Sequence, residues 1–231
     1  SVAIYDDKLH IGTWPQGYVL RREPDGKWVN TGRLGLPPDP FAPDCNEIND
    51  LCVHNGKLYA GVIPKAEVYR YEKDNVWTLM GRLGGRPDWA PFNYETWCRV
   101  TALASFNGLL MAGTGSCHGR ATPNVNPDGS LGRVFSLQTG LSVAYHHDVG
   151  SDWNAIAVRR QGRRLDLFLN GSVVASSESS EYATFDLSNT EPLRLGNGPD
   201  SPYRGSMRDV QIWIGALPDQ VIADWSRTGV S

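Results

Sequence analysis

Residues 2–38 align without a gap on residues 51–87 at an offset of 49, and 14 of the 37 pairs are identical. The identities include Lys8/Lys57, Leu9/Leu58, Gly12/Gly61, Pro15/Pro64, Asp25/Asp74 and Trp28/Trp77, with the whole Gly-Arg-Leu-Gly at 32–35 and 81–84. A third copy starts at Leu103, with Phe106-Asn107-Gly108-Leu109-Leu110-Met111-Ala112-Gly113 at an offset of 52. It carries an insertion over roughly 119–131 before Gly132-Arg133-Val134-Phe135 resumes the pattern of Ala66-Glu67-Val68-Tyr69. Repeats of this length mark one supersecondary unit that buries its apolar face against its neighbours.

Each copy predicts four short antiparallel strands. In the second copy an apolar strand (51–54) meets an Asn-Gly turn, the strongest short hairpin signal. A strand over 57–63 ends at Pro64, which has no N–H for a ladder. A third strand (66–71) and an Asp-Asn turn lead to a fourth (76–80) carrying Trp77. Four such strands every 45–50 residues are the pattern of a β-propeller blade. Repeat identity favours packing between blades over a sugar platform for Trp28 and Trp77. Two and a half blades do not close a ring, which needs at least four. The chain is then a fragment, or several copies assemble, or the second half supplies the missing strands.

Composition agrees with an all-β chain: 25 Gly, 15 Pro, eight Trp and nine Tyr in 231 residues. No apolar run approaches the roughly 20 residues of a membrane helix, so membrane insertion is not expected. A net charge of −3 gives no reason to expect nucleic acid or an anionic membrane as partner. The first residue is Ser, which suits a processed chain or an excised fragment. Cys45, Cys52, Cys98 and Cys117 cluster in the first half. An even, clustered set suits two disulfides, in any of three connectivities, in an extracellular or exported protein; the alternative is unpaired thiols in a cytosolic one.

From Val134 the spacing changes. The segments are Trp153-Asn154-Ala155-Ile156-Ala157-Val158-Arg159, Leu165-Asp166-Leu167-Phe168-Leu169-Asn170-Gly171, Val173-Val174-Ala175-Ser176, Pro192-Leu193-Arg194-Leu195-Gly196 and Gly205-Ser206-Met207-Arg208-Asp209-Val210-Gln211-Ile212-Trp213. Period-2 alternation puts Leu165, Leu167 and Leu169 on one face and predicts antiparallel strands. Residues 216–225 form the one helix-like stretch, with Pro218 in its first turn. This order resembles the C-terminal part of concanavalin A-like/laminin-G-like jelly rolls, over roughly Ser142–Ile222. The whole chain is similar to bacterial proteins in which propeller-type repeats run directly into such a domain. The expected organisation is propeller-like repeats over 1–133 followed by a laminin-G-like β-sandwich part over 134–231. The resemblance implies glycan or protein binding outside the cell, often with calcium. The front half of the jelly roll has no counterpart after 134, so strands of the third repeat complete it or the domain is truncated.

The long loops of the repeats emerge on one face, which is where a rigid scaffold carries function. They bring together Trp14, Trp89, Tyr94 and Trp97 with Asp88, Glu95 and His118. Aromatic platforms beside carboxylates suit sugars, whose C–H faces stack while hydroxyls take hydrogen bonds; the alternative is that these rings glue long ordered loops. For an enzyme the candidates are Glu47 and Asp50, at the entrance of an inner strand, with Arg99 at the position of Glu47 one repeat on. Glycoside hydrolysis needs a positioned carboxylate pair. A zinc site on Cys117-His118 lacks the C-x₂-C spacing. His146 and His147 are strand neighbours that point to opposite faces, which favours a solvated strand end over a metal. Asp148, Asp200 and Asp209 are the oxygen ligands for the calcium that the resemblance implies. Asn170-Gly171 reads as a hairpin turn rather than a glycosylation acceptor.

The favoured function is a non-catalytic extracellular recognition module, lectin-like or adhesive, with glycans or glycoproteins as partners. The alternatives are a glycosidase or sialidase-like propeller enzyme, or an accessory fragment of one, and a structural subunit that closes a ring as a homo-oligomer.

Overall fold

The computed structural model describes residues 1–35, 46–63, 65–84, 98–116, 132–140, 142–178, 195–196 and 203–229. The repeat writes the same sheet twice. Strands β1 (Val2–Tyr5), β2 (Lys8–Gly12), β3 (Tyr18–Arg22) and β4 (Trp28–Arg33) form an antiparallel meander. β5 (Glu47–His54), β6 (Lys57–Ile63), β7 (Glu67–Lys73) and β8 (Val76–Arg82) form another. Register follows the offset of 49: Gly12 pairs Val19 as Gly61 pairs Val68. A bulge falls after Val19 in one sheet and after Val68 in the other. The first hairpins turn through two left-handed residues, Asp6-Asp7 and Asn55-Gly56, the twist that a two-residue hairpin requires. A third sheet, in the order β11-β10-β9, uses β9 (Cys98–Phe106), β10 (Leu109–Ser116) and β11 (Val134–Leu137).

Contacts divide the chain into two compact units. The first holds Ser1–Ser105, Leu110–Leu137 and Gly196–Tyr203; the second holds Phe106–Leu109, Gln138–Leu195 and Arg204–Ser231. In the first unit the sheets stack face to face. One core joins Val19 and Leu34 to Ile48, Leu51, Leu58, Ala60 and Val62. The next joins Tyr59, Ala66 and Val68 to Val100, Leu103, Leu110 and Ala112. Glycine permits the close approach. A Cβ on Gly12 would lie 2.5 Å from Ile48, and one on Gly61 would lie 2.6 Å from Val100. Trp77 packs on the first sheet as expected and donates its indole N–H to the Thr31 carbonyl at 2.9 Å. Gly32 makes room for that indole, since a Cβ there would lie 2.7 Å from Nε1. Beside it, Arg21 holds Asp74 through two nitrogens at 2.6 and 3.1 Å. Trp28, the first-sheet counterpart of Trp77, is instead exposed. The described residues form no closed ring of sheets.

In the second unit β12 (Ile156–Gln161), β13 (Arg164–Leu169) and β14 (Ser172–Glu178) make a three-stranded antiparallel sheet, and α1 spans Asp219–Gly229. The helix starts at Pro218, whose carbonyl accepts from the Val221 and Ile222 amides. It packs so closely that a Cβ on Gly171 would lie 2.9 Å from the Cα of Ala223. On β13 the face of Asp166 and Phe168 is buried, while Leu165, Leu167 and Leu169 on the other face are half-buried. The reason is charge pairing. Asp166 accepts hydrogen bonds from Arg159 (2.8 Å), Arg164 (2.6 Å) and Ser176 (2.6 Å), and the Arg159 guanidinium lies 5.0 Å from the centre of the Phe168 ring. Burial alone would raise the Asp166 carboxyl, but these donors outweigh it and hold it at about 2. Residues 205–213, expected as a strand, pair with no described strand, and Met207, Val210, Ile212 and Trp213 are exposed. Residues 142–145 are likewise irregular.

Candidate functional site

The loop between β2 and β3 carries Trp14 and is held at nearly every carbonyl. Thr13 Oγ1 both donates to the Tyr18 carbonyl (2.9 Å) and accepts from the Tyr18 amide (3.0 Å). The Thr13 carbonyl accepts from Ile48 N, Pro15 from Asn46 N and Gly17 from Leu34 N. The Gln16 carbonyl accepts from Arg33 Nε at 2.8 Å. The Trp14–Pro15 peptide is cis. On this fixed loop Trp14 itself is 70% exposed. An indole held open on a loop whose flanking carbonyls are bonded is a preorganised stacking surface. The other loop-face candidates, Asp88, Trp89, Tyr94, Glu95, Trp97 and His118, lie outside the described residues.

The candidates for an enzyme, Glu47, Asp50 and Arg99, all lie on strands of the second and third sheets. Asp50 sits at the β5 bulge. Its Oδ1 accepts from its neighbour Leu51 N at 2.9 Å, and its Oδ2 from Leu103 N of β9 at 2.7 Å. Oδ2 thus ties the second sheet to the third, while Oδ1 caps its own strand at the bulge. Glu47 and Arg99 stand at corresponding positions, half-buried, on β5 and β9. A carboxylate that the sequence reading passed over is more deeply placed. Glu67 is fully buried and accepts from Tyr69 Oη (2.7 Å) and Arg82 Nε (2.6 Å). Burial and then Glu67 raise the Tyr69 hydroxyl well above the usual phenol range.

Cys52 and Cys98 both pack against the core between the second and third sheets; Cys45 and Cys117 lie outside the described residues. His146 and His147 take separate partners, as their adjacency implies. His146 Nε2 accepts from Asn107 N at 2.9 Å and its ring stacks on Phe106, while His147 leans on Tyr145. Calcium finds no fit among the described residues. Asp148 Oδ1 is taken by Gly150 N at 2.8 Å, Asp209 lies beside Arg208, and no three acidic, His or Cys side chains converge. Asp200 lies outside the described residues. The Asn170-Gly171 turn forms as expected, and the Asn170 amide is spent on Ala155 N and Asn154 Oδ1.

One aromatic site escaped the sequence reading. The sequence places Trp153 at the start of a strand segment; the structure exposes its ring in a loop, with the Arg208 guanidinium 4.7 Å from its centre. The Gly-Ser-Asp run at 150–152 just ahead of it marks a loop. Asn154 closes that loop by donating to the Val149 and Asp152 carbonyls, both at 3.0 Å.

Residues 87–223, more than half of the chain, match a family model described as the concanavalin A-like lectin/glucanases superfamily. The chain belongs to that superfamily. The match to the concanavalin A-like superfamily begins upstream of 134, so β9–β11 fall within it although the sequence reads them as a third repeat. No curated protein matches the chain. Among solved structures it is similar to an S-layer domain-containing protein from Clostridium thermocellum, at 14% identity over 76% of this chain and 86% of that one. The TM-score of 0.24 is too low to carry an argument.

Proposed function

We propose that this concanavalin A-like chain is a non-catalytic recognition module that binds carbohydrate, on glycans or glycoproteins, outside the cell. In this reading the two four-stranded sheets are propeller-type blades that serve as a rigid support, and the C-terminal unit is part of a laminin-G-like sandwich. The observation that carries it is Trp14, exposed on a loop whose backbone is fixed by Thr13, Arg33 and Asn46. Trp153, flanked by Arg208 and a polar loop, offers a second stacking surface of the same chemistry. The superfamily described by its lectins and glucanases supports sugar as the ligand class. The occupied carboxylate of Asp50 speaks for binding rather than hydrolysis.

A glycan array run with the folded chain, with calcium and then with chelator, tests this reading. A defined hit that weakens about tenfold in Trp14→Ala and is retained in part by Trp14→Phe is expected, tenfold being the worth of one stacking contact. A blank array, or a hit indifferent to both Trp14 and Trp153, overturns it.

A further inference from the structure

The stack in the first unit ends in two unlike, open faces. Inside the stack, each sheet turns its first two strands toward the preceding one. Leu51 and Leu58 do so from the second sheet, and Leu103 and Leu110 from the third, and all four are buried. The first-sheet counterparts at offset 49 are Val2 and Leu9, with Trp28 matching Trp77. Val2 is 62% exposed and Trp28 47%.

The receiving face is marked by a Val opposite a Gly. The pairs are Val19 with Gly12, Val68 with Gly61 and Val134 with Gly113. Val19 and Val68 are buried, whereas Val134 is 74% exposed. A Cβ on Gly12 or Gly61 would strike the next sheet, but among the described residues one on Gly113 meets nothing closer than Thr101 Oγ1 of its own sheet, at 3.5 Å.

We propose that the Val2/Trp28 face of one copy docks on the Val134/Gly113 face of a second copy, repeating between chains the stacking seen within one. The same polypeptide carries both halves of an interface that it already uses twice internally. Such a contact is heterologous, so it propagates head to tail into rings or filaments. Ser136 stands opposite Met111 where Arg21 and Arg70 stand opposite His10 and Tyr59. The inter-sheet Arg–Asp pair is therefore not reproduced, and the contact rests on apolar surface.

Sedimentation equilibrium of the full chain across a wide concentration range, with Trp28→Asp and Val134→Asp, tests the proposal. Both positions are exposed in the single chain, so each variant folds. The expected result is concentration-dependent assembly of the unaltered chain, a monomer for each variant alone, and a one-to-one dimer when the variants are mixed. The mixture pairs the intact head of one variant with the intact tail of the other. A monomer at every concentration overturns the proposal, as does assembly that survives either substitution. A single variant that dimerises by itself also overturns it, because that contact would be isologous.

Discussion

The first and second sheets share strand order, the pairing register of Val19 and Val68 with the bulge that follows each, and even their surface ion pairs. Lys8–Glu23–Arg21 in one recurs as Lys57–Glu72–Arg70 in the other. They differ in what lies against them. Trp77 is half-buried with its indole N–H bonded to the neighbouring sheet, and Trp28 stands open. Other differences are exchanges within a conserved geometry. Tyr5 and His10 meet at 5.8 Å in the first sheet; His54 and Tyr59 meet at 6.1 Å in the second, the same pair with its members swapped between strands. Arg33 sits over the Tyr18 ring where Arg82 bonds Glu67. Local sequence therefore dictates the sheet, and the neighbour dictates which of its side chains carry stability.

That comparison can be broken most directly at the two tryptophans. Trp77→Ala should cost about 3 kcal/mol through the lost packing and the lost indole bond to the Thr31 carbonyl, while Trp28→Ala should cost less than about 1 kcal/mol. Urea midpoints of the two variants decide it, and equal costs would deny that the neighbour makes the difference. Next in size, Asp166→Asn leaves Arg159 facing a buried neutral group and should lower stability by about 3 kcal/mol at most. The loss should be confined to amide-exchange protection of β12–β14.

Glycine substitutions sharpen the same contrast. Gly61→Ala forces a methyl into Val100 and should cost about 1–3 kcal/mol. Gly113→Ala has room and should be near neutral.

The smallest effect expected is that of pH on the two units. Burial holds His10 and His54 below the ordinary imidazole value of 6.5, more than any neighbouring charge does. Their folded forms bind a proton less readily than the unfolded chain. The stability they contribute is complete above about pH 6.5 and declines as the pH falls below it. His54→Gln, which can keep a bond to Ser105, should flatten this decline in the first unit. Asp166 acts in a different window. Its folded carboxyl lies at about 2, so its contribution is present above the ordinary Asp value near 4 and is lost as the pH falls through about 2. Exchange protection followed from pH 7.5 downward should thus fall first in β1–β8 and only later in β12–β14.

Much of this was legible in the residues. The offset of 49 foretold both meanders, because antiparallel hairpins are specified by near neighbours: Asn55-Gly56 and Asn170-Gly171 set their turns by backbone conformation alone. The packing role of Trp77 followed from repetition, and so did the equal treatment of Trp28, which the structure does not grant. The sequence places Glu47 and Asp50 at the entrance of an inner strand but does not show the Leu103 amide, 53 residues away, that bonds the Asp50 carboxylate. That β13 buries its Asp166 face was hidden for the same reason. Three leucines at period 2 outweigh one Asp in a hydropathy pattern, but Arg159, Arg164 and Ser176 together satisfy that Asp. By itself the sequence determined the strands of the two meanders and of β12–β14, the turns, the repeat and the superfamily, all of which depend on residues close in the chain or on their order. Which sheet faces were covered, which carboxylates were occupied and which indoles stood free were decided by tertiary structure alone, because burial and hydrogen bonding depend on partners brought together from distant parts of the chain.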